Sequence, residues 1–389
     1  MRKGDFETVV SRKFTIVQML PDLITGGVER GTLETGAFLV SKGHRSIVVS
    51  NGGPMVKDLV KNGSEHITLP VGEKNPKALW CIPQLRKMFI EEKVDILHLR
   101  SRLPAWMGLA AAKTINKKIR PRIVTTFHGF HSINAYSAVM IKGERVIAVS
   151  KPINEHIAEK YGVSGDHVRT INRGFDALSF DPKLVSQTRI YDLKTKWGLE
   201  NKTGPFIMLP GRFTQLKGHG LFLSALEKIK HLSWTAVLVG DESEKPGYAS
   251  LLKDQVLQAG LEGRVIFAGH CNDMPAAFML SDLTISSSIR PESFGRVAVE
   301  SQAMGIPVVA TAHGGSLETV IPEKTGWLFP PTDVDALANV LEEAVGDPEK
   351  LQRMGSQAKK WVYSNFTTQL MCEKTLNLYE ELLASPRIG

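Results

Sequence analysis

Short apolar runs rich in β-branched residues recur along the 389-residue chain, separated by stretches with the spacing of amphipathic helices. This alternation predicts parallel strands joined by helices. The strands predicted in the first half are residues 14–20, 45–50, 94–99, 122–127 and 145–149. Those predicted in the second half are residues 206–209, 235–239, 264–267, 283–286 and 307–310. The pattern therefore indicates two doubly wound α/β domains.

The domain boundary is expected within residues 176–204, which are polar and lack a clear strand pattern. We assign residues 1–190 to a first Rossmann-like domain and residues 191–369 to a second. A final helix over about residues 370–389 is expected to pack back on the first domain. Ligands of such sheets bind beyond the carboxyl ends of the strands, so two facing sheets predict an interdomain cleft.

Composition limits the class of protein without naming a function. The chain is 42% hydrophobic and 23% charged, which is typical of a folded protein and excludes a disordered one. Cys81, Cys271 and Cys372 are isolated, so they predict neither a disulfide framework nor a zinc site. No apolar run is long enough to span a bilayer, and the first residues lack a signal-peptide pattern. We therefore expect a cytoplasmic protein.

The net charge of +8 is concentrated in the first half of the chain, where residues 1–190 carry 29 Lys and Arg against 17 Asp and Glu. A basic surplus favours an anionic partner. The densest basic run comprises Lys113, Lys117, Lys118, Arg120 and Arg122. Two interpretations remain open for it: a solvated helix end, or a face that docks on anionic lipid or a phosphorylated glycan.

Candidate chemistry in the first half follows the predicted strands. Gly26 and Gly27 come after the first strand and open a helix, where backbone N–H groups can approach a phosphate closely, although a plain turn explains them equally well. The turn lacks the Gly-x-Gly-x-x-Gly fingerprint, which argues against a nicotinamide dehydrogenase. His128 is the preferred functional histidine after the fourth strand, and His131 is a weaker candidate. Ser150 is predicted to be a helix N-cap.

Charged residues follow the strands of the second half. Arg212 and Lys217 flank a short turn, so both cations could converge on one anion. Glu292 lies in a loop before Gly295, which is predicted to open a helix whose first N–H groups form an anion site. Glu300 lies one turn into that helix and could accept hydrogen bonds from vicinal hydroxyls. Two carboxylates around a helix N-terminus suggest a sugar nucleotide with its diphosphate between them.

Together these residues resemble the retaining glycosyltransferases of family 4, also called group 1, which have the two-domain GT-B fold. The resemblance rests on Glu292-x7-Glu300, on Met304-Gly-Ile-Pro-Val-Val-Ala-Thr and on Gly314-Gly315-Ser-Leu-Glu318. It extends to residues 325–333, to Gly211-Arg212 with Lys217-Gly218, to residues 264–269 and to Gly26-Gly27. It covers essentially the whole chain and is strongest over residues 205–335.

The resemblance implies a role for each matched residue. Arg212 and Lys217 would neutralise the donor diphosphate, and Glu300 would hold the ribose. Glu292 would contact the sugar. The sugar and the distal phosphate would also be contacted by the backbone of Phe294, Gly295, Arg296 and Val297. Gly269 and His270 would face the base, Gly27 would lie near the donor phosphate, and His128 would lie beside the reacting sugar. Such enzymes need no obligatory metal, and the chain has no clear Asp-x-Asp motif.

One position departs from the family pattern. Many members have Ile-Pro-Asn-Gly-Val-Asp after the corresponding strand, whereas this chain has Ile171-Asn172-Arg173-Gly174-Phe175-Asp176. Arg173 replaces a small amide with a cation, which either adds a phosphate contact or binds an anionic acceptor or donor sugar. We favour the phosphate contact.

The expected function is transfer of a hexose-type sugar from a nucleotide-diphosphate sugar, with UDP favoured, to a saccharide or lipid-linked acceptor in lipopolysaccharide or cell-envelope synthesis. Peripheral contact with the inner face of the cytoplasmic membrane is also expected. A sugar-nucleotide 2-epimerase of the same fold is the alternative enzyme. A basic nucleic-acid-binding protein is the non-enzymatic alternative, and it has no supporting motif beyond charge.

Overall fold

The computed structural model describes residues 12–387, and its first compact unit contains a seven-stranded parallel sheet. The described part of this first unit comprises residues 12–148, 156–171 and 372–387. The strands are β1 (Thr15–Met19), β2 (Arg45–Ser50), β3 (Glu65–Thr68), β4 (Ile96–Leu99), β5 (Arg122–Phe127), β6 (Arg145–Ala148) and β7 (Val168–Thr170). They lie in the order β3-β2-β1-β4-β5-β6-β7. All pairs are parallel, as predicted for a doubly wound sheet.

The second unit comprises residues 149–155 and 172–371 and contains a six-stranded parallel sheet. Its strands are β8 (Phe206–Pro210), β9 (Thr235–Val239), β10 (Val265–Gly269), β11 (Leu283–Ser286), β12 (Val308–Thr311) and β13 (Gly326–Phe329). They lie in the order β10-β9-β8-β11-β12-β13. The loops after β8, β11 and β12 are therefore neighbours at the carboxyl edge of this sheet.

Helices connect nearly all the strands. They are α1 (Gly27–Ser41), α2 (Val56–Lys61), α3 (Cys81–Glu91), α4 (Arg102–Lys113), α5 (Lys151–Tyr161), α6 (Gln187–Lys196), α7 (His219–Lys228), α8 (Pro246–Gln258), α9 (Met274–Leu280), α10 (Arg296–Ala303), α11 (Ser316–Thr319), α12 (Val334–Gly346), α13 (Pro348–Asn365) and α14 (Thr368–Ala384). Short 3-10 helices span Pro76–Trp80, Ser137–Ile141, Gly165–His167, Pro182–Leu184 and Gln215–Lys217.

Three strands were missed by the sequence prediction: β3, β7 and β13. Each lies at an edge of its sheet, and each is only three or four residues long. In β3 and β7 polar residues predominate and most positions are half-buried or exposed. Strands β3 and β7 have a neighbour on one side only, so they do not need the continuous apolar run by which the central strands were found. Strand β13 does contain an apolar run, which the sequence prediction overlooked.

Both faces of the second sheet are covered by apolar side chains. In β8, Ile207 and Leu209 join one buried cluster, while Met208 between them joins the other. The first cluster includes Trp234 and Trp327, and the second includes many side chains from helices of the opposite layer. Alternate residues of a strand point to opposite faces, so a sheet buried on both sides requires apolar residues at every position.

The boundary between the units differs from the predicted one at residue 190. Residues 172–190 belong to the second unit because their apolar side chains are buried in its core. Phe175 is 1% exposed, and its backbone N–H donates to the carbonyl of Phe366 at 2.9 Å. Phe180 and Val185 are buried in the same cluster. The polar character of this segment concealed these three anchoring positions.

The end of α14 belongs to the first unit from Cys372 onward. Tyr379 on this helix is fully buried, and its hydroxyl lies 2.6 Å from Nδ1 of His98 in β4. Nε2 of the same imidazole lies 2.6 Å from the hydroxyl of Thr126 in β5. Burial lowers the pKa of His98 well below its usual value, so the ring is neutral in the folded chain.

None of the helices within residues 12–387 combines the length and the apolar character needed to cross a membrane.

Candidate functional site

The loop after β8 and the loop after β11 meet at the carboxyl edge of the second sheet through an ion pair. Nζ of Lys217 lies 2.6 Å from Oε1 of Glu292, and the Ser288 hydroxyl donates to the same carboxylate oxygen. The side chains of Lys217 and Glu292 are 26% and 21% exposed, so the pair is accessible from solvent. The structure therefore brings together two residues that lie 75 positions apart and that were predicted to contact the donor.

The environment of Glu292 keeps it ionised. Burial alone would raise the pKa of Glu292, but attraction by Lys217, the Ser288 hydroxyl and the nearby His313 together hold this pKa below its usual value. Lys217 and Glu292 thus neutralise each other. An entering anion must compete with Glu292 for the Lys217 ammonium.

Gly218 makes the close approach of these two loops possible. Its φ of 71° is in the left-handed region, and a Cβ at this position would lie 1.9 Å from the carbonyl oxygen of Ser287. The Ser287 hydroxyl donates to the carbonyls of Lys217 and Gly218 at 3.1 and 3.2 Å. The backbone N–H of Ile289 donates to Leu216 O at 2.9 Å. These contacts fix the backbone on either side of the ion pair.

The loop from Glu292 runs into α10 at Gly295, which has a left-handed φ of 84° and caps the helix. The next N–H groups, those of Arg296 and Val297, belong to the first turn of α10, where no intrahelical acceptor exists for them. They lie at the positive end of the helix. Phe294 is buried beneath them, at 3% exposure. The predicted helix N-terminus is therefore present at the predicted residue.

Gly314 and Gly315 hold this loop from the side of β12. The N–H of Gly315 donates to the carbonyl of Glu292 at 2.8 Å, and a Cβ on Gly315 would lie 2.3 Å from Phe294 O. Gly314 has a left-handed φ of 57°. This diglycine, which is part of the family resemblance, thus permits backbone-to-backbone packing beside the helix N-terminus.

Glu300 is paired within its own helix. Nη2 of Arg296 lies 2.6 Å from Oε1 of Glu300, an i,i+4 contact, and the Glu300 side chain is 12% exposed. The sequence prediction assigned these two residues separate donor contacts and missed their pairing. The pair uses Oε1, so Oε2 of Glu300 remains available as an acceptor.

The other predicted donor residues of the second unit lie along the same edge. Arg212 follows β8 and is exposed. Gly269 ends β10 with a φ of 67°, and the exposed His270 after it bonds through Nε2 to Asn272 at 2.8 Å. Strand β9 separates β10 from β8, so these two residues are two strands away from Lys217. Arg173 is half-buried in the segment that precedes Phe175.

The candidates of the first unit lie at the carboxyl edge of the first sheet. Gly26, with a φ of 135°, is the N-cap of α1 after β1, and Gly27 is the first residue of that helix. His128 is half-buried directly after β5, which is separated from β1 by β4. Ser150 belongs to the second unit, and its hydroxyl accepts a hydrogen bond from the N–H of Ile153 at 3.3 Å, which confirms the predicted N-cap.

His131 has a structural environment rather than that of an exposed acid or base. Its ring lies 4.7 Å from the ring of Phe127, and its carbonyl is 3.2 Å from Nε2 of His156. Burial, with smaller contributions from Arg102 and His156, lowers the pKa of His131 to about 4. The ring is therefore neutral at physiological pH and belongs to an aromatic cluster.

The sequence prediction missed His313, which follows β12 and acts on the charge of Glu292. Both of its ring nitrogens are buried without a hydrogen-bond partner among residues 12–387. The available signal was its position, since β12 ends at Thr311 and its neighbour β11 leads to Glu292. The direct role of Ser288 was missed as well.

The cysteines are unpaired, with Cys81 and Cys372 buried and Cys271 half-buried. Burial raises the pKa of each thiol, to about 12 for Cys372. Within the described ranges, no group of three His, Cys, Asp or Glu side chains is arranged to hold a metal ion.

Comparison with known proteins identifies the class. The model of the family described as Glycosyl transferases group 1 matches residues 193–361, and that of Glycosyltransferase Family 4 matches residues 25–177. A crystal structure of a glycosyltransferase from Rickettsia africae is 34% identical, with a TM-score of 0.89, and the match covers 96% of this chain and 100% of that one.

Two further similarities have narrower scope. HepE of Anabaena, crystallised with UDP and glucose, is 23% identical with a TM-score of 0.79, and the match covers 94% of this chain and 99% of that one. The lipopolysaccharide core biosynthesis mannosyltransferase LpcC of Rhizobium leguminosarum is 30% identical over 180 residues, which are 46% of this chain and 51% of LpcC. The HepE likeness shows the fold alone.

The two parallel-sheet domains, the family match and the similarity to the Rickettsia africae structure define a glycosyltransferase enzyme with the GT-B fold. The chain belongs to glycosyltransferase family 4, the group 1 glycosyltransferases, as its resemblance to that family predicted.

Proposed function

We propose that the protein is a retaining glycosyltransferase that moves a hexose-type sugar from UDP-sugar to a saccharide or lipid-linked acceptor in lipopolysaccharide or cell-envelope glycan synthesis. The observation that carries the donor half of this proposal is the Lys217–Glu292 pair beside the N-terminus of α10. It combines a cation, a carboxylate and free N–H groups at one strand edge. These are the groups that a sugar diphosphate requires.

Each donor residue has a distinct role in this proposal. Lys217 and Arg212 bind the diphosphate, and the N–H groups at Gly295, Arg296 and Val297 bind the distal phosphate. Glu300 accepts hydrogen bonds from the ribose hydroxyls through Oε2, because Oε1 is already bonded to Arg296.

The remaining residues surround the two ends of the donor. Glu292, once Lys217 has turned to the phosphate, accepts from a sugar hydroxyl, and Phe294 supports it from below. The buried nitrogens of His313 supply a further contact beside Glu292. Gly269 and His270 face the base.

In the reaction, the glycosidic C–O bond to the diphosphate breaks and negative charge accumulates on the leaving phosphate. Fixed cations and helix N–H groups aimed at that charge stabilise the transition state in advance of the reaction. We propose that a leaving phosphate oxygen takes the proton of the acceptor hydroxyl as the new bond forms on the same face. In this proposal His128 contacts the reacting sugar, and Gly26 and Gly27 contact the donor phosphate. Because Lys217, Arg212 and the helix supply the positive charge, no obligatory metal is required.

UDP is favoured as the carrier because HepE, which shares the fold, binds UDP with glucose. The sugar is less constrained, since LpcC is named as a mannosyltransferase. The LpcC similarity also supports a role in lipopolysaccharide or envelope synthesis.

We further propose that the protein is cytoplasmic and contacts the inner face of the cytoplasmic membrane through its basic first half. The structure divides the basic run in two. Lys113, Lys117 and Lys118 are exposed. Arg120 instead donates to the carbonyls of Lys113 and Ile115, and the buried Arg122 pairs with Glu144 at 2.6 Å. Only the three lysines of this run are therefore available to an anionic surface.

The test incubates the purified protein with a panel of UDP-, GDP- and ADP-sugars, in the presence of either Mg²⁺ or EDTA. Release of the nucleoside diphosphate is measured, and NMR determines the anomeric configuration of the released or transferred sugar. We expect slow release from a UDP-hexose, unchanged by EDTA, with retention at the anomeric carbon. Conversion of the nucleotide sugar to its 2-epimer would replace this proposal by the epimerase. Dependence of the release on Mg²⁺ would contradict only the proposed independence from metal. Inversion at the anomeric carbon would contradict only the retaining mechanism.

A further inference from the structure

A cavity of about 610 Å³ lies entirely within the first unit, at the opposite edge of the sheet from His128 and Gly27. Its wall includes Asp95, which precedes β4, Arg122, which begins β5, and Arg12, which precedes β1. These are the amino ends of the central strands. Substrates of doubly wound domains bind at the carboxyl ends, so this cavity is separate from the site described above. Its volume is within the range of small-molecule sites.

The polar lining of the cavity is strongly basic. Five of the lining side chains are cationic and one is acidic; these are Arg12, Lys93, Lys118, Arg122 and Arg387, with Asp95 as the acid. Such an excess of cations around a concave surface concentrates anions there.

Two of the five cations are already neutralised. Nη2 of Arg12 lies 2.6 Å from Asp95, whose other oxygen accepts from the Thr15 N–H at 2.9 Å. Arg122, whose side chain is 4% exposed, lies 2.6 Å from Glu144 and donates to the carbonyl of Ser385 at 2.9 Å. These two arginines line the cavity with their charges already paired.

The other three cations are available to a ligand. Lys93, Lys118 and Arg387 are exposed, and none forms an ion pair within residues 12–387. Nη1 of Arg387 donates to the carbonyl of Arg120 at 2.7 Å. That contact orients the guanidinium while its remaining N–H groups stay available to an anion.

The rest of the lining is apolar. It comprises Phe89, Ile90, Val94, Ile119 and Leu383. Phe89 and Val94 are 1% and 4% exposed and form the floor, whereas Ile119 is 60% exposed beside Lys118. A free phosphate or a polyanionic nucleic acid would leave the apolar part of this lining without a partner. An amphiphile uses both parts, because the cations bind its phosphate and the apolar side chains contact its hydrocarbon. The exposed Ile119 would then contact the acyl region.

We infer that this cavity binds the phosphate headgroup of an anionic lipid. The inference rests on the membrane contact proposed above and narrows it to one site, held by Lys93, Lys118 and Arg387. It uses no residue of the donor site.

The experiment compares three proteins: the wild type, the cavity variant Lys93→Gln/Lys118→Gln/Arg387→Gln, and the control variant Lys42→Gln/Lys57→Gln/Lys61→Gln. The control removes the same charge from exposed positions of the first unit outside the cavity lining. Each is titrated with soluble dihexanoyl phosphatidic acid and with inorganic phosphate, and sedimented with phosphatidylcholine vesicles with and without phosphatidic acid. No nucleotide sugar is present, so the outcome is independent of the transfer reaction. Circular dichroism verifies that each variant is folded.

We expect the cavity variant to bind dihexanoyl phosphatidic acid at least about tenfold more weakly than the wild type, and the control to stay within about twofold. Ile119→Ser should weaken binding of the lipid phosphate and leave inorganic phosphate unaffected. Equal losses in both triple variants would overturn the inference, and so would equal affinity of the wild type for inorganic phosphate and for the lipid. Binding of the soluble lipid by the cavity, without sedimentation on anionic vesicles, would keep the site and contradict the membrane contact.

Discussion

Nζ of Lys217 lies 2.6 Å from Oε1 of Glu292, joining the loop after β8 to the loop after β11 at the edge where the donor is proposed to bind. The opposite charges of the two side chains neutralise each other. In the proposed function, donor binding exchanges one anionic partner of Lys217 for another, and it releases the carboxylate of Glu292 for a sugar hydroxyl. This exchange links recognition of the phosphate to recognition of the sugar.

Replacing Lys217 by Met should weaken UDP binding by about 30-fold, because a charge-assisted contact to the phosphate is lost and Glu292 is left without its cation. Isothermal titration with UDP measures the effect. Lys324→Met, which removes an exposed lysine of the same unit, should bind UDP as the wild type does. An unchanged dissociation constant for Lys217→Met would show that Lys217 does not contact the diphosphate.

Replacing Arg173 by Ala should raise the apparent donor KM or lower kcat severalfold, because we interpret this half-buried cation as an additional phosphate contact. Steady-state kinetics with the donor identified by the panel provide the measurement. Arg169→Ala is the matched control, since Arg169 pairs with Asp166 at the surface. Wild-type kinetics of the Arg173 variant with every acceptor would contradict this interpretation.

Gly218→Ala should destabilise the protein by at least about 2 kcal/mol, because an alanine is disfavoured at a φ of 71° and its Cβ would collide with Ser287 O. Guanidinium unfolding measures the loss. At Gly247 a Cβ would meet no atom within 4 Å, so Gly247→Ala should be nearly neutral. Equal stability of the two variants would mean that the loop relaxes without cost.

His219 should make stability depend on pH below neutrality. The residue is fully buried, its ring lies 4.8 Å from that of Phe213, and burial lowers its pKa to about 4. In the unfolded chain this histidine has a pKa near 6.5, so between pH 6.5 and 4 it is protonated in the unfolded chain and neutral in the folded chain. This contribution to stability is therefore complete above about pH 6.5 and decreases as the pH falls toward 4.

The corresponding test compares the wild type with His219→Phe by guanidinium unfolding at pH 7.5 and 5.0. The wild type should lose about 2 kcal/mol more than the variant over this interval. His231→Gln, at an exposed position, should retain the wild-type dependence. The same loss in His219→Phe would show that other groups are responsible.

Tyr379→Phe should lower stability by about 1 to 3 kcal/mol, because it removes the hydroxyl bonded to the buried His98 and leaves a ring nitrogen unsatisfied. The ring itself would still pack. Tyr191→Phe, at a position 63% exposed, is the control and should unfold at the wild-type denaturant concentration. If both variants were equally stable, the Tyr379 hydroxyl would not contribute to anchoring α14.

The central strands and much of the site could be predicted from the sequence because their causes are local. Strands buried on both faces need continuous apolar runs, and glycines followed by charged residues stood at the strand ends that led to Lys217, Glu292 and α10. The i,i+4 pairing of Arg296 with Glu300 was also local and was available from the spacing alone.

The features of the site that only the tertiary structure decided depend on residues that are far apart in the sequence. The order β8-β11-β12 places Lys217, Glu292 and His313 together, and nothing in the sequence around any one of them specifies its neighbours. Burial likewise separated Arg122, which is buried and paired with Glu144, from Lys118, which faces solvent four positions earlier. A sequence determines which side chains are present at each strand end, but only the packing of the strands decides which charges meet and which remain free for a ligand.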